Sequence, residues 1–414
     1  MFTIAVSSSL LILLIFRFIR PLGISFKFKA ALAIGFLIFS QQRLLNRLFF
    51  TGPHLPELPY GMVILQGWMI STVLILTMLV LTRDLAALAL RPAYKPAKPF
   101  SVSGRLAAGL LAMAALLSML GVWQAVRVPD TRTVEINLRD LPEELDGLRI
   151  AHLTDIHASS LFTRKWIKAV VDRTNALRPD LILLTGDIAD GTTARRYSDV
   201  EPFREFQARY GVFAAAGNHE YYFGFHDWMN LYQALGLRML LNEHQVISHR
   251  NTPLVIAGTT DKVALRFGLP PPDLKKALAG APKEATTILM AHRPEKAAES
   301  AAEGVALQLS GHTHGGHIIG LHLIPKYVNK GFISGLYQVD GMVMYVSRGA
   351  GLWGGFPVRL GCPSDITLII LRRAAHQKKP APLPGLASCN SFDVPRITAL
   401  GKLRPSSISA RIRG

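Results

Sequence analysis

Residues 310–317 read SGHTHGGH, placing His312 and His314 two apart behind the short apolar run 305–309. On a strand that spacing puts both rings on one face. In a tight turn after a strand, it lets both imidazoles converge on one point. Gly311, Gly315 and Gly316 admit backbone angles that other residues resist, and they allow close approach to a bound group. The stretch reads as part of a metal site whose other ligands must come from elsewhere in the chain.

From about Val134, short apolar runs alternate with amphipathic segments. Residues 150–153 read as a strand. Thr163 stands where it would cap a helix whose apolar positions Trp166, Ile167, Val170, Val171, Thr174 and Leu177 follow the 3.6-residue period. Pro179 stops that helix, and 181–184 reads as a buried strand; a helix over 199–210 then precedes a strand over 212–216. Further strands are expected at 254–257, 287–291, 305–309, 342–346 and 366–371. Such alternation predicts an α/β layered domain.

Several strands end in residues suited to metal chemistry. The first ends in Asp155 and His157, the second in Asp187 and Asp190, and the third in Asn218, His219 and Glu220. A later one ends in His292, and the next runs into His312 and His314. Ligands of open α/β sheets bind at the carboxyl ends of strands, so these separate points would meet. Taken singly, each has a plainer reading: His292 as an ordinary buried histidine, Asp187 as a turn residue, Asn218 and His219 as loop. The remaining histidines, His226, His244, His249, His317 and His322, read as structural or surface.

The blocks DIH (155–157), GDIAD (186–190), GNHE (217–220), the lone His292 and GHTH (311–314) stand in one order. In that order they resemble the calcineurin-like metallophosphoesterase superfamily, over roughly residues 148–371. The text LYQVDGMVMYVSRGAG (336–351) and PVRLGCP (357–363) resembles its membrane-associated bacterial branch, which includes hydrolases of UDP-diacylglucosamine. The resemblance implies a four-layer α/β/β/α sandwich and a binuclear centre. By it, Asp155, His157 and His314 would hold one ion, Asn218, His292 and His312 the other, with Asp187 between them. His219 would protonate the leaving alkoxide, with Asp190 orienting it and Glu220 tuning it. Oxygen and imidazole donors without thiolate suit two divalent ions such as Mn, Fe, Zn or Co. The pattern departs at His317, where the branch has Gln, and at Gly191, where the superfamily's protein phosphatases carry a phosphate-clamping arginine; a protein phosphatase is thereby disfavoured. Arg293 and Arg348 are spare cations, able to face phosphate or to make surface ion pairs.

Composition frames the rest. Of 414 residues, 50% are hydrophobic, and the mean hydropathy is +0.27, which points to a membrane region joined to a domain. The net charge of +18 suggests nucleic acid, but its distribution does not. Residues 1–129 hold 12 Lys/Arg against 2 acids and residues 372–414 hold 9 against 1, leaving 25 of each in 130–371. No nucleic-acid partner is expected. The apolar runs 3–16, 61–81 and 106–122, with a weaker one over 30–50, predict four membrane helices in residues 1–125. Basic clusters around Arg17–Lys29 and Arg83–Arg105 would then be cytoplasmic, placing the domain outside the cytoplasm. The phosphoesterase domain is expected over 126–373, followed by a disordered basic tail over 374–414. Cys362 and Cys389 lack metal-site spacing, and a bridge between them is the weaker alternative to free thiols.

The expected function is membrane-anchored hydrolysis of a phosphodiester or pyrophosphate bond by metal-activated hydroxide. The substrate class includes lipid-linked or envelope precursors. UDP-diacylglucosamine itself lies on the cytoplasmic face, against the expected sidedness. The rivals are a non-catalytic membrane sensor or scaffold that retained the fold, and a transporter, which the lack of intramembrane acids disfavours.

Overall fold

A computed structural model describes residues 2–42, 44, 46, 58–90, 103–374 and 396–397. Helix α1 (Phe2–Leu14) runs into a π turn (Ile15–Ile19), and α2 (Phe26–Ser40) follows. Helices α3 (Tyr60–Ala89) and α4 (Gly104–Val126) pack together, with Trp68 Nε1 donating to the Ala115 carbonyl at 3.0 Å. Both are long and apolar enough to cross a membrane. With its π turn, α1 forms a continuous 18-residue helix over 2–19, and α2 has 15 residues. Helices α3 and α4 correspond to two of the four expected spans. The polar interruption at Gln41 explains where α2 stops: its amide turns back to the Ser7 and Ser8 hydroxyls, each at 3.2 Å. Most of the weak run beyond it lies outside the described residues.

The domain's strands are β1 (Asp130–Leu138), β2 (Arg149–Leu153), β3 (Leu181–Thr185), β4 (Val212–Ala215), β5 (Leu237–Met239) and β6 (Glu243–His249). They continue with β7 (Thr252–Gly258), β8 (Thr286–Met290), β9 (Leu307–Ser310), β10 (Gly335–Val339), β11 (Met342–Val346) and β12 (Asp365–Arg373). One sheet runs β1-β12-β2-β3-β4-β5 and the other β10-β11-β9-β8-β7-β6, with Arg396–Ile397 pairing in parallel on the free edge of β10. The rest of the expected tail after residue 374, Cys389 included, lies outside the described residues. Cys362 is a free, buried thiol.

Helices flank the sheets: α5 (Arg164–Ala176), α6 (Thr193–Val200), α7 (Asn218–Tyr222) and α8 (Phe225–Ala234) belong to the first half, α9 (Leu274–Ala277), α10 (Ala297–Ala302) and α11 (Leu323–Val328) to the second. Strand β3, LILLT, is buried along its length, and its period of two sorts the side chains. Ile182 and Leu184 join Ile167, Val170 and Val171 of α5, while Leu181 and Leu183 join Ile256, Ile288 and Leu309 of the second sheet. Burying each of those α5 aliphatics stabilises the layer by about 1.5–3 kcal/mol. The outer face of the second sheet packs Ala257 and Leu289 against Ala297 of α10. This is the α/β/β/α sandwich.

Two local expectations change. The helix foreseen over 199–210 is instead α6 followed by a 3₁₀ turn (Glu201–Glu205). Pro202 has no N–H to donate to the carbonyl four residues back, so the α-helical bonding pattern does not continue through it. Thr163 precedes α5 in extended conformation, yet its hydroxyl makes no cap hydrogen bond.

Candidate metal centre

The expected donors gather at the carboxyl ends of β2, β3, β8 and β9 and at the start of α7. Asp155, His157, Asp187, His312 and His314 all have positive φ, between 50° and 69°. For non-glycine residues this costs roughly 1–2 kcal/mol apiece, a concentration of strain that marks a functional site. The turns are held by backbone bonds between neighbouring strand ends: Asp155 N donates to Gly186 O, and His157 N to Asp187 O, each at 3.0 Å. Gly217 allows the third strand end to close in, since a Cβ there would lie 2.2 Å from Asp187 Oδ1.

Asp155, His157 and His314 bring donor atoms within 4.8 Å of one another, and so do Asp187, His292 and His312. His314 Nε2 stands 3.6 Å from Asp155 Oδ1, and His157 Nε2 stands 3.8 Å from Asp187 Oδ2. Donors about an ion with bonds near 2.1 Å stand about 3–4 Å apart, so these spacings suit a metal. The ring protons agree. His292 Nδ1 donates to Thr185 O at 2.7 Å, and His157 Nδ1 to Asp190 Oδ1 at 3.0 Å. That leaves the two Nε2 atoms turned inward, buried and without a hydrogen-bond partner. Second-sphere acceptors of this kind fix the tautomer that a metal needs. Burial opposes charge on His292, but Asp187 and then Asp155 raise its imidazole to about 9: the carboxylates call for a cation there. His312 and His314 are held well below the usual histidine range, chiefly by burial, and present neutral rings.

Asp187 lies between the groups, its Oδ2 3.1 Å from His292 Nε2. Asn218 joins the second group through Arg293, whose guanidinium donates to Asn218 Oδ1 at 2.8 Å and to His312 Nε2 at 2.6 Å. Its Nε is anchored on Asp261 at 2.7 Å, so Arg293 stands inside the site rather than in a surface ion pair. Arg348 lines the turn, its side chain against Gly315. His219 Nδ1 is bound to Asp190 Oδ1 at 2.6 Å, and its Nε2 faces Asp187 Oδ2 at 4.0 Å. Burial works against the charged ring, but Asp190 and Asp187 raise it to about 10 and keep it protonated at neutral pH.

Glu220 adds a smaller upward push to His219, as expected, and has a second task. Its buried carboxylate makes no hydrogen bond to His219; it accepts from the backbone N–H groups of Asp187, Ile188 and Gly217 at 3.1, 2.7 and 2.8 Å. His317 is buried beside His314 with its Nδ1 3.2 Å from Val358 O, outside both donor groups. Arg359 went unnoticed in the sequence. Fully buried, it donates to the carbonyls of His314, Cys362, Arg348 and Gly351 at 2.7–3.2 Å. An arginine inside the apolar block PVRLGCP was the available signal.

A calcineurin-like phosphoesterase family model matches residues 148–316. A transmembrane protein with metallophosphoesterase domain from Danio rerio is 35% identical over 273 residues, 64% of this chain and 62% of its own length. The chain thus spans about three-fifths of that relative, and likewise 61% of the similar protein from Bos taurus. An uncharacterized metallophosphoesterase of Bacillus subtilis (strain 168) is 32% identical over 239 residues, 56% of this chain and 82% of its own length. Among solved structures, a 5'-nucleotidase precursor from Thermus thermophilus aligns over 49% of each chain at 17% identity and TM-score 0.33. With the family and sequence matches and its strand-end donor groups, the chain belongs to the calcineurin-like phosphoesterase family of metal-dependent phosphoester hydrolases.

Proposed function

We propose that this is a membrane-anchored, binuclear-metal phosphoesterase acting on a phosphodiester or pyrophosphate bond of a lipid or cell-envelope precursor. One observation carries the reading: two donor groups adjoin at Asp187, whose Oδ2 lies 3.8 Å from His157 Nε2 of the first, and a half-buried histidine–aspartate pair, His219 and Asp190, stands against them. Asp155, His157 and His314 would hold one ion and Asn218, His292 and His312 the other, with Asp187 common to both. When bound, two such ions supply positive charge to the phosphoryl oxygens and lower the pKa of an attacking water. The chain's own groups supply the rest. Asp190 fixes the His219 ring through Nδ1, leaving Nε2 to hold the proton that the leaving oxygen takes. Arg293 adds a cation for the phosphoryl group. The N and O donor set favours Mn, Fe, Zn or Co.

The anchor is α3 and α4, and the charge of the flanking loops favours a domain outside the cytoplasm. A reporter fused after Val122, active only outside, tests that sidedness.

Turnover of bis(p-nitrophenyl) phosphate by the full chain with added manganese tests the enzyme. Chelation should abolish it, His219→Ala should lower kcat by about 10²–10⁴-fold while metal stays bound, and Asp187→Asn should lose metal. If the metal-loaded protein hydrolyses diester, monoester and pyrophosphate substrates no faster than these variants, the enzyme reading fails and a sensor or scaffold takes its place.

A further inference from the structure

The turn that carries His314 continues into residues 317–328, an apolar segment that the proposed chemistry does not use. Ile319, Leu323, Ile324, Tyr327 and Val328 are 61–88% exposed, and no residue of α11 is buried. Exposed apolar side chains this dense need a partner. Their neighbours indicate which one.

The segment is tied to the loop 353–361: Ile319 N donates to Leu360 O at 3.0 Å, and Leu360 N to His317 O at 2.8 Å. Together the two stretches lie along α3. A Cβ at Gly354 would stand 4.0 Å from Val63, one at Gly67 would stand 2.4 Å from Pro357, and one at Gly320 would stand 3.2 Å from Met78. From Val63 to Met78 the helix rises about 22 Å, against roughly 30 Å for the hydrocarbon core of a bilayer. On the other helix, Arg359 N donates to Gly121 O of α4 at 2.9 Å. Ile318 and Val358 are buried in the same apolar cluster as Leu14, Phe18, Val73 and Leu76. If α3 lies in the membrane, the exposed side of this segment faces the lipid. The exposed aliphatics then continue the apolar surface of the helices, and the exposed Lys326 and Lys330 supply cations at headgroup level.

We propose that residues 318–328 form a ridge embedded in the bilayer surface, from which the metal centre takes an amphiphilic phosphoester directly out of the membrane. This rests on the phosphoesterase reading and narrows it to substrates whose phosphate sits in a lipid headgroup. The occupant of the ridge is phospholipid, recognised by apolar contact and by lysine. His314 stands at the base of the ridge, with Gly316 packed against His322 where the segment folds back.

Full-length protein in phosphatidylcholine–phosphatidylglycerol vesicles tests the proposal with two substrates that release the same chromophore: phosphatidyl-p-nitrophenol in the bilayer and bis(p-nitrophenyl) phosphate in solution. For Ile324→Asn/Tyr327→Asn, turnover of the lipid substrate should fall about tenfold or more, while turnover of the soluble one stays within about twofold. Equal losses, no loss, or a wild type that cleaves only the soluble ester would overturn the ridge and leave the enzyme standing. Contact is read without any turnover. Tyr327→Trp, with wild-type emission subtracted, should be quenched by about half in vesicles containing dibromo-phosphatidylcholine. Unquenched added emission refutes lipid contact even in an inactive protein, and emission that changes with protein concentration assigns the ridge to a second copy instead.

Discussion

Replacing Glu220 with glutamine changes one atom of a buried carboxylate, and its effect follows from where four donors point. Oε2 accepts from Asp187 N and Gly217 N, while Oε1 accepts from Ile188 N and, at 3.4 Å, from the Tyr232 hydroxyl. A glutamine amide must set its NH2 on one of these sides. The less costly choice is the Oε1 side, because a hydroxyl can rotate to accept, but the Ile188 N–H then faces a nitrogen without a lone pair. Burial and the charge of Asp187 push the Glu220 carboxyl above the usual carboxylate range. Yet even a protonated carboxyl keeps a lone pair where an amide has none. The orphaned N–H costs about 1–3 kcal/mol, and two bonds weakened from charged to neutral acceptor cost about 1 kcal/mol each, so roughly 3–5 kcal/mol in all. At about 2–4 °C per kcal/mol for a domain of this size, Glu220→Gln should lower the thermal midpoint of the full chain in detergent by roughly 6–20 °C. The same bonds fix the backbone of Asp187, so metal affinity should fall about 10–100-fold. A midpoint within about 1 °C of wild type, with unchanged metal titration, would refute the brace.

Two more perturbations separate packing from charge. Gly217→Ala would drive a Cβ to 2.2 Å from Asp187 Oδ1 and 2.4 Å from Asp187 N; because both are fixed, metal content by elemental analysis and activity should be lost together. His152 is buried against the Thr185 hydroxyl at 2.9 Å, and burial holds its pKa down to about 3. A depressed pKa means that the folded state binds fewer protons than the unfolded one. The stability is therefore complete above the unfolded value of about 6.5 and is lost as pH falls toward about 3. Unfolding of wild type should weaken by roughly 2–3 kcal/mol between about pH 7.5 and pH 4.5 relative to His152→Gln, and parallel pH profiles would contradict this.

The metal centre was more legible in the sequence than the membrane region, for a physical reason. Strand-end ligands sit beside short apolar runs whose length alone sets the pleat, so Asp155, Asp187 and His292 were locatable from their neighbours. Residues that act through backbone contacts left no such mark. Glu220 reads as a partner of adjacent His219, but the first turn of α7 aims it at the β3 turn, 32 and 33 residues upstream. Arg359 reads as an ordinary cation until the fold surrounds it with carbonyls. In the membrane region, apolar runs over 3–16 and 30–50 resemble spans. The Gln41 contact to Ser7 and Ser8 brings the two runs side by side, a pairing that no one-dimensional pattern encodes.

Arg359 also couples the apolar helices to the candidate metal site. Its side chain holds the His314 carbonyl, while its own backbone N–H is bound to Gly121 of α4. Burial lowers its pKa to about 10, so it remains a cation at neutral pH, and charge-assisted bonds to four carbonyls, together with Asp365 and Asp155 nearby, offset its desolvation. Gly121 is what permits the approach, since a Cβ there would lie 2.7 Å from Val358. One residue thus spans the distance from a helix long and apolar enough to cross a membrane to a metal-site turn whose His312 and His314 both sit at strained positive φ. Such strain persists only where the surroundings over-determine it, and part of those surroundings here is α4. The apolar helices belong to the structure of the candidate metal site.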